Sequence, residues 1–121
     1  MATGTITKPY VPYTEGTWTI GSDPKCTLSE GNLLWRDGDT GFAKIVITAW
    51  DGGSTSATTR TLYTNISILP KSNISYGIIL RNNTSIQTGS ININTNGNIT
   101  LYNDGAFTGG IVRVIVPFAC N

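Results

Sequence analysis

One stretch of the chain, residues 90–102 with the sequence SININTNGNITLY, restricts the possible folds more than any other. Apolar and polar residues alternate on both sides of Asn96 and Gly97. This period of two is typical of half-buried strands, and an Asn-Gly pair between two such runs is typical of a tight hairpin turn. The stretch therefore predicts an antiparallel hairpin with one apolar and one polar face.

The register of this hairpin follows from the requirement that its apolar residues share a face. A two-residue loop would place Ile91 and Ile93 on the face opposite Ile99 and Leu101, because a shift of one residue inverts a strand. A three-residue loop that ends at Gly97 instead sets Ile93 opposite Ile99 and Ile91 opposite Leu101. It also gives Gly97 the positive φ of a G1 bulge. We therefore predict the bulged hairpin.

The composition favours strands and excludes several partners. Charged residues make up 12% of the 121 residues, about half the usual share, while neutral polar residues are abundant. That combination suits sheets with uncharged outer faces. The net charge of +1 provides no basic surface for nucleic acid, and no apolar run is long enough to span a bilayer. We predict one soluble domain with no nucleic-acid partner and no membrane insertion.

Two long apolar runs predict central strands. Residues 42–50 and 111–118 are apolar on both faces, as expected of strands covered on both sides. Shorter runs predict further strands at residues 58–69 and 76–81. With no helical period anywhere, the chain is predicted to be all-β, an antiparallel β-sandwich or jelly-roll-like barrel of seven to eight short strands.

The first residues and the cysteines add two smaller predictions. Residues 1–16, which contain Pro9 and Pro12, predict an extended N-terminal arm that precedes a head domain of residues 17–121. Cys26 and Cys120 form no CxxC motif, and nothing indicates an oxidising compartment. We predict free, partly buried thiols, with one long-range disulfide as the alternative.

The catalytic chemistry that this sequence allows is narrow. The chain has no histidine, which excludes Ser-His-Asp and Cys-His sites. Paired carboxylates for glycoside cleavage remain, from Asp37, Asp39, Asp51 and Asp104, but each lies next to a glycine or in a predicted turn that aspartate itself favours. The segment around Gly38 lacks the other ligands of an EF-hand, and no nucleotide motif is present. We predict no cofactor, no metal and no enzymatic activity.

Aromatic residues beside short carboxylates and an arginine suggest saccharide binding. Aromatic faces stack on sugar C–H groups, and carboxylates and guanidinium groups fix sugar hydroxyls. Trp18, in an alternating strand, is expected to face the core, whereas Trp50 at a strand end beside a glycine-rich loop is expected to be partly exposed. The predicted saccharide-binding residues are Trp35, Arg36, Asp37, Asp39, Trp50, Asp51, Tyr102 and Asp104.

From Ala43 onward the chain resembles the C-terminal head domain of tailed-phage receptor-binding proteins, found at the tail-fibre tip or baseplate. The resemblance is carried by a strand that ends in Leu69-Pro70, the strand at 76–81, the strand-Asn-Gly-strand unit at 90–102, and a last apolar strand at 114–118. The order and spacing of these segments match that family. The resemblance covers the last two-thirds of the chain.

The resemblance implies a function that the residues alone do not specify. It implies a homotrimeric β-sandwich head, located in the virion at the phage tail tip, that binds a host cell-surface polysaccharide without cleaving it. It also implies that the N-terminal arm joins other tail or baseplate proteins. Two alternatives come from other classes of protein: a structural oligomerisation module of a virion or adhesin, and an aspartate-based glycosidase.

Overall fold

A computed structural model describes residues 12–121, which form ten antiparallel β-strands and no helix. Seven strands of five or more residues match the predicted number, and three two-residue strands add to them. The all-β prediction is confirmed. The strands are β1 (Thr14–Glu15), β2 (Thr19–Ile20), β3 (Thr27–Leu28), β4 (Leu33–Asp37), β5 (Thr40–Asp51), β6 (Thr58–Thr64), β7 (Ile74–Arg81), β8 (Ile86–Ile93), β9 (Ile99–Asn103) and β10 (Thr108–Ala119).

The strands form one curled sheet in the order β1-β4-β5-β10-β7-β8-β9-β6-β2, with β3 also paired to β5. The two halves of the sheet face each other, and β10 joins them because it pairs with both β5 and β7. On the other side, the segment between β1 and β2 connects the two edges of the sheet: Gly16 donates its N–H to the carbonyl of Leu34 (2.8 Å), and Ser67 donates its N–H to the carbonyl of Thr17 (3.0 Å). The apolar core lies between the two halves.

The hairpin of β8 and β9 has the predicted register. Ile93 lies opposite Ile99 and Ile91 lies opposite Leu101, and all four side chains are fully buried. Because directly opposite residues share a face, these four form one continuous apolar surface. They pack in the same core cluster as Ile45 of β5 and its neighbours.

The turn of this hairpin also has the predicted geometry. Asn94 donates its N–H to the carbonyl of Asn98 (3.0 Å), and Gly97 donates to the carbonyl of Asn94 (3.0 Å). Gly97 has φ = 91°, a left-handed conformation that strains any residue with a side chain. The asparagine-rich face of the hairpin is half-exposed.

The predicted exposure of Trp50 is wrong, because a bulge in β5 turns its side chain inward. Ile47 lies opposite Val112 and Trp50 lies opposite Gly110. Between these two pairs β5 advances by three residues and β10 by only two, so β5 contains one extra residue. The extra residue is accommodated where Ala49 adopts φ = 53°. This inverts the alternation of inward and outward side chains, and Trp50 is fully buried, as Ile45 and Ile47 are.

A second left-handed residue ends β6 earlier than predicted. The strand stops at Thr64 and not at Leu69, because Asn65 has φ = 54° and turns the chain out of the ladder. Ile66 and Ile68 still reach the core and are buried. Pro70 forms an isolated bridge with Cys120.

The end of the predicted N-terminal arm belongs to the sheet. Thr14 pairs with Arg36 and Glu15 pairs with Trp35, so β1 lies at the edge next to β4. The remaining arm residues, 1–11, lie outside the described part of the chain.

Both cysteines are free thiols, as predicted. Cys120 is buried and Cys26 is half-buried. Burial raises the pKa of the Cys26 thiol to about 11, so this thiol stays protonated at neutral pH. Trp18 is half-buried against the core and stacks on Tyr63, with 3.8 Å between the ring centroids, as expected for an inward-facing residue.

Candidate functional site

The predicted saccharide-binding residues lie at the two ends of β5. The group from Trp35 to Asp39 is at the β4–β5 turn, whereas Trp50 and Asp51 are at the far end of the strand. A strand of 12 residues spans roughly 36 Å at about 3.3 Å per residue. The structure therefore does not bring these residues into one site.

In the first group, the arginine holds the turn. Arg36 donates from Nε and one terminal nitrogen to the carbonyl of Gly38 (3.1 and 2.8 Å) and from the other to the carbonyl of Asn121 (2.6 Å). The ring of Trp35 stacks on Phe42, with 5.1 Å between centroids. The Arg36 guanidinium therefore binds two backbone carbonyls of its own chain.

The carboxylates of the first group flank the same turn. Asp37 and Asp39 are exposed on either side of Gly38, which has φ = 64°. The backbone carbonyl of Asp39 accepts the N–H of Cys120 (2.9 Å). These residues shape the β4–β5 turn and connect it to the end of the chain.

At the other end of β5 the carboxylates also serve turns. The Asp51 carboxylate accepts the N–H of Gly53 (3.0 Å), and the Asp104 carboxylate accepts the hydroxyl of Thr88. The Asp51 contact is the role that the sequence favoured for aspartates next to glycine, whereas the Asp104 contact is made to strand β8. Tyr102 is half-buried in β9 and lies opposite Ser90.

The structure joins the Trp50 and Tyr102 segments through a residue that the sequence did not single out. Asn103 is fully buried; its Oδ1 accepts the indole N–H of Trp50 (3.3 Å), and its Nδ2 donates to the carbonyls of Gly52 (3.2 Å) and Gly105. Every buried side-chain nitrogen and oxygen in residues 12–121 has a hydrogen-bond partner. Asn103 therefore organises the loops at this end and offers no open site.

An open surface lies instead at the β7–β10 seam, where the two halves of the sheet meet. Ile111 pairs with Arg81 at one end of the seam, and Lys71 donates its N–H to the carbonyl of Ala119 (2.9 Å) at the other. Between these points the strands diverge around a cavity of about 530 Å³. Residues from both strands line it, among them Tyr76, Gly77, Ile78, Val112 and Val114.

On the outer face of this seam lies a second cavity of about 470 Å³. We call the residues at its centre the arginine patch: Ile79, Arg81, Ile111 and Arg113. The two isoleucines are exposed, at 57% for Ile79 and 43% for Ile111. Asn82 and Asn83 complete the cavity lining. Cations and aliphatic side chains thus alternate on one exposed surface of two strands.

The electrostatics of the arginine patch are one-sided. Within residues 12–121, no carboxylate lies within 4 Å of a charged nitrogen of Arg81 or Arg113. Lys44 is on the same face, because it lies opposite Ile115, two residues along β10 from Arg113. Arg81, Arg113 and Lys44 therefore lie on one exposed face, and within residues 12–121 none of them forms an ion pair with a carboxylate.

Asn82 fixes the rim of the arginine patch. Its Oδ1 accepts the backbone N–H groups of Thr84 (2.9 Å) and Ser85 (2.8 Å), which closes the turn between β7 and β8. Its Nδ2 donates to the carbonyl of Thr108 (2.9 Å) at the start of β10. The β7–β8 turn is thereby attached to β10, so the backbone at the rim of the arginine patch is fixed by hydrogen bonds.

The described chain offers little other site chemistry. Residues 12–121 contain no cluster of three or more side chains of the metal-binding types. In the same residues, no helix could cross a membrane. Comparisons with models of protein families, with curated proteins and with solved structures each return no match. Function is therefore argued from the arginine patch and its surroundings.

Proposed function

We propose that this chain is the host-recognition head of a tailed-phage receptor-binding protein and that it binds a host cell-surface polysaccharide without cleaving it. The observation that carries the proposal is the arginine patch, an exposed surface of unpaired cations and aliphatic side chains on two strands. The resemblance of residues 43–121 to such heads supplies the biological setting. The proposed site thus moves from the turns to the β7–β10 seam.

The chemistry of the patch suits a sugar polymer. A guanidinium group presents several N–H donors in a planar fork, which can hold the hydroxyl or acidic oxygens of a saccharide. Ile79 and Ile111 offer exposed aliphatic surface to the C–H faces of a sugar ring. An extended sheet surface also leaves both ends of a polymer free to continue beyond the site.

The same proposal includes a homotrimer in the virion, attached to other tail or baseplate proteins through the N-terminal arm. An exposed isoleucine outside the arginine patch supports contact between copies, since Ile115 on the outer face of β10 is 50% exposed. This observation also favours a second candidate function, a structural oligomerisation module. In that case the outer face of β10 is covered by neighbouring subunits and binds no saccharide.

The proposal is tested by binding of the purified protein to a panel of bacterial surface polysaccharides. We expect at least one to bind and to keep its chain length during incubation. We expect the double variant Arg81→Gln/Arg113→Gln to lose about tenfold or more in affinity, because it removes charge-assisted hydrogen bonds. The matched control Lys25→Gln/Lys71→Gln removes the same charge from exposed residues outside the arginine patch and should change affinity less than twofold.

Three results would contradict the proposal. They are binding to no polysaccharide, full binding by the arginine variant, and shortening of the polymer, which would instead support a glycosidase. Absence of binding together with dissociation of the oligomer by Ile111→Ser/Ile115→Ser would favour the structural module.

A further inference from the structure

We infer that the arginine patch recognises an anionic substituent of its saccharide, a carboxylate or phosphate oxyanion held between Arg81 and Arg113. This inference rests on the proposed function and adds the chemical class of the ligand. It requires that the polymer carry an acidic group, which neutral sugars lack.

The strand pairing places both guanidinium groups within reach of one oxyanion. Ile111 lies directly opposite Arg81, so the two side chains share a face. Arg113 is two residues further along β10 and therefore points to the same side. Both arginines line the same cavity of about 470 Å³. Two long side chains that line one cavity can converge on one acidic group.

The charges around this point favour an anion over a neutral group. The two guanidinium groups repel each other, and no carboxylate of residues 12–121 lies within 4 Å of either. Lys44 adds a third positive charge on the same face. The Asp104 carboxylate accepts the hydroxyl of Thr88, and the Asp51 carboxylate accepts the N–H of Gly53, so both have partners of their own. A bound oxyanion would therefore supply the missing negative charge.

The apolar neighbours strengthen this preference. Ile79 and Ile111 flank the arginines, and their aliphatic side chains exclude part of the water that would otherwise surround a bound group. Charge-assisted hydrogen bonds are stronger where water is partly excluded. Arginine also binds carboxylate and phosphate oxygens through two parallel N–H groups, which lysine cannot do.

The test is thermal unfolding of the whole chain at fixed ionic strength with glucuronate, glucose 1-phosphate or methyl glucoside. We expect one or both anions to raise Tm by about 4 °C at ten times Kd, and methyl glucoside to leave it unchanged. A response to glucuronate alone identifies a carboxylate, and a response to glucose 1-phosphate alone identifies a phosphate. Lys25→Gln/Lys71→Gln should respond as the wild type does.

Substitutions at the patch separate specific binding from a general salt effect. Arg81→Gln/Arg113→Gln should lose the shift, and Arg113→Lys should weaken the affinity about tenfold because the fork is lost although the charge remains. The inference is overturned if neither anion shifts Tm or if the shift persists in the double glutamine variant. In that event, loss of polysaccharide binding by the same variant would still support the proposed function with a neutral ligand.

Discussion

We expect replacement of Asn103 by leucine to lower the free energy of unfolding by about 3 kcal/mol. Leucine fills a similar volume but can neither accept the indole N–H of Trp50 nor donate to the carbonyls of Gly52 and Gly105. The indole N–H of Trp50 and the carbonyl of Gly52 would stay in the interior without a partner, and each such group costs about 1 to 3 kcal/mol. Urea unfolding at one fixed protein concentration measures the change.

The matched control for this variant is Asn92→Leu, in the strand next to Asn103. Asn92 is half-buried on the polar face, and its side-chain contacts to Ser90 and Thr100 are long, at 3.3 and 3.5 Å. Its loss should change stability by no more than about 0.5 kcal/mol, as is usual for substitutions away from buried networks. Equal destabilisation by the two variants would show that Asn103 has no special role.

Gly89→Ala should have a comparably large effect, for a steric reason. A Cβ added at Gly89 would lie 2.2 Å from the carbonyl oxygen of Tyr102 and 2.9 Å from Cδ1 of Leu80. The first of these atoms is backbone of β9, so the clash is relieved only by moving the two strands apart. We expect a loss of about 3 kcal/mol, the upper range for overpacked interiors, in the same urea experiment.

Gly77, in the adjacent strand β7, provides the opposite expectation. A Cβ at this position meets no atom within 4 Å, and the residue has no positive φ. Gly77→Ala should therefore raise stability by about 0.5 kcal/mol, because alanine restricts the unfolded chain. Similar losses at both glycines would contradict the packing of β8 against β9.

The β8–β9 hairpin was fully predictable from sequence because its determinants are local. The alternation of four isoleucine and leucine residues permits one register, and Gly97 supplies the left-handed residue that this register needs. The all-β architecture followed in the same way, from strand periodicity and the lack of a helical period.

The orientation of Trp50 could not be predicted because it depends on a bulge. Nothing in the sequence around Ala49 marks a residue with positive φ, since alanine seldom adopts it. The bulge is defined only by the register of β5 against β10, where Gly110 lies opposite Trp50. A non-local pairing thus decided which face the largest side chain occupies.

The arginine patch was missed for a related reason. Arg81 and Arg113 are far apart in sequence; Arg81 ends one predicted strand, and Arg113 interrupts another that was predicted to be covered on both sides. They become neighbours only because β7 pairs with β10 through Ile111. Of the aspartates interpreted as turn formers, Asp51 binds the N–H of Gly53 within its own turn, whereas Asp104 binds Thr88 of the neighbouring strand. The residues predicted to bind saccharide lie in separate groups.

The most direct test of saccharide binding at the arginine patch is amide NMR of the labelled chain during titration with a polysaccharide identified in the binding panel. We predict that the largest shift changes occur at Ile79, Arg81, Ile111 and Arg113 and that the β4–β5 turn is unaffected. Changes concentrated at residues 35–39 or 51–56, or no changes at all at saturating polysaccharide, would contradict a binding site at the β7–β10 seam.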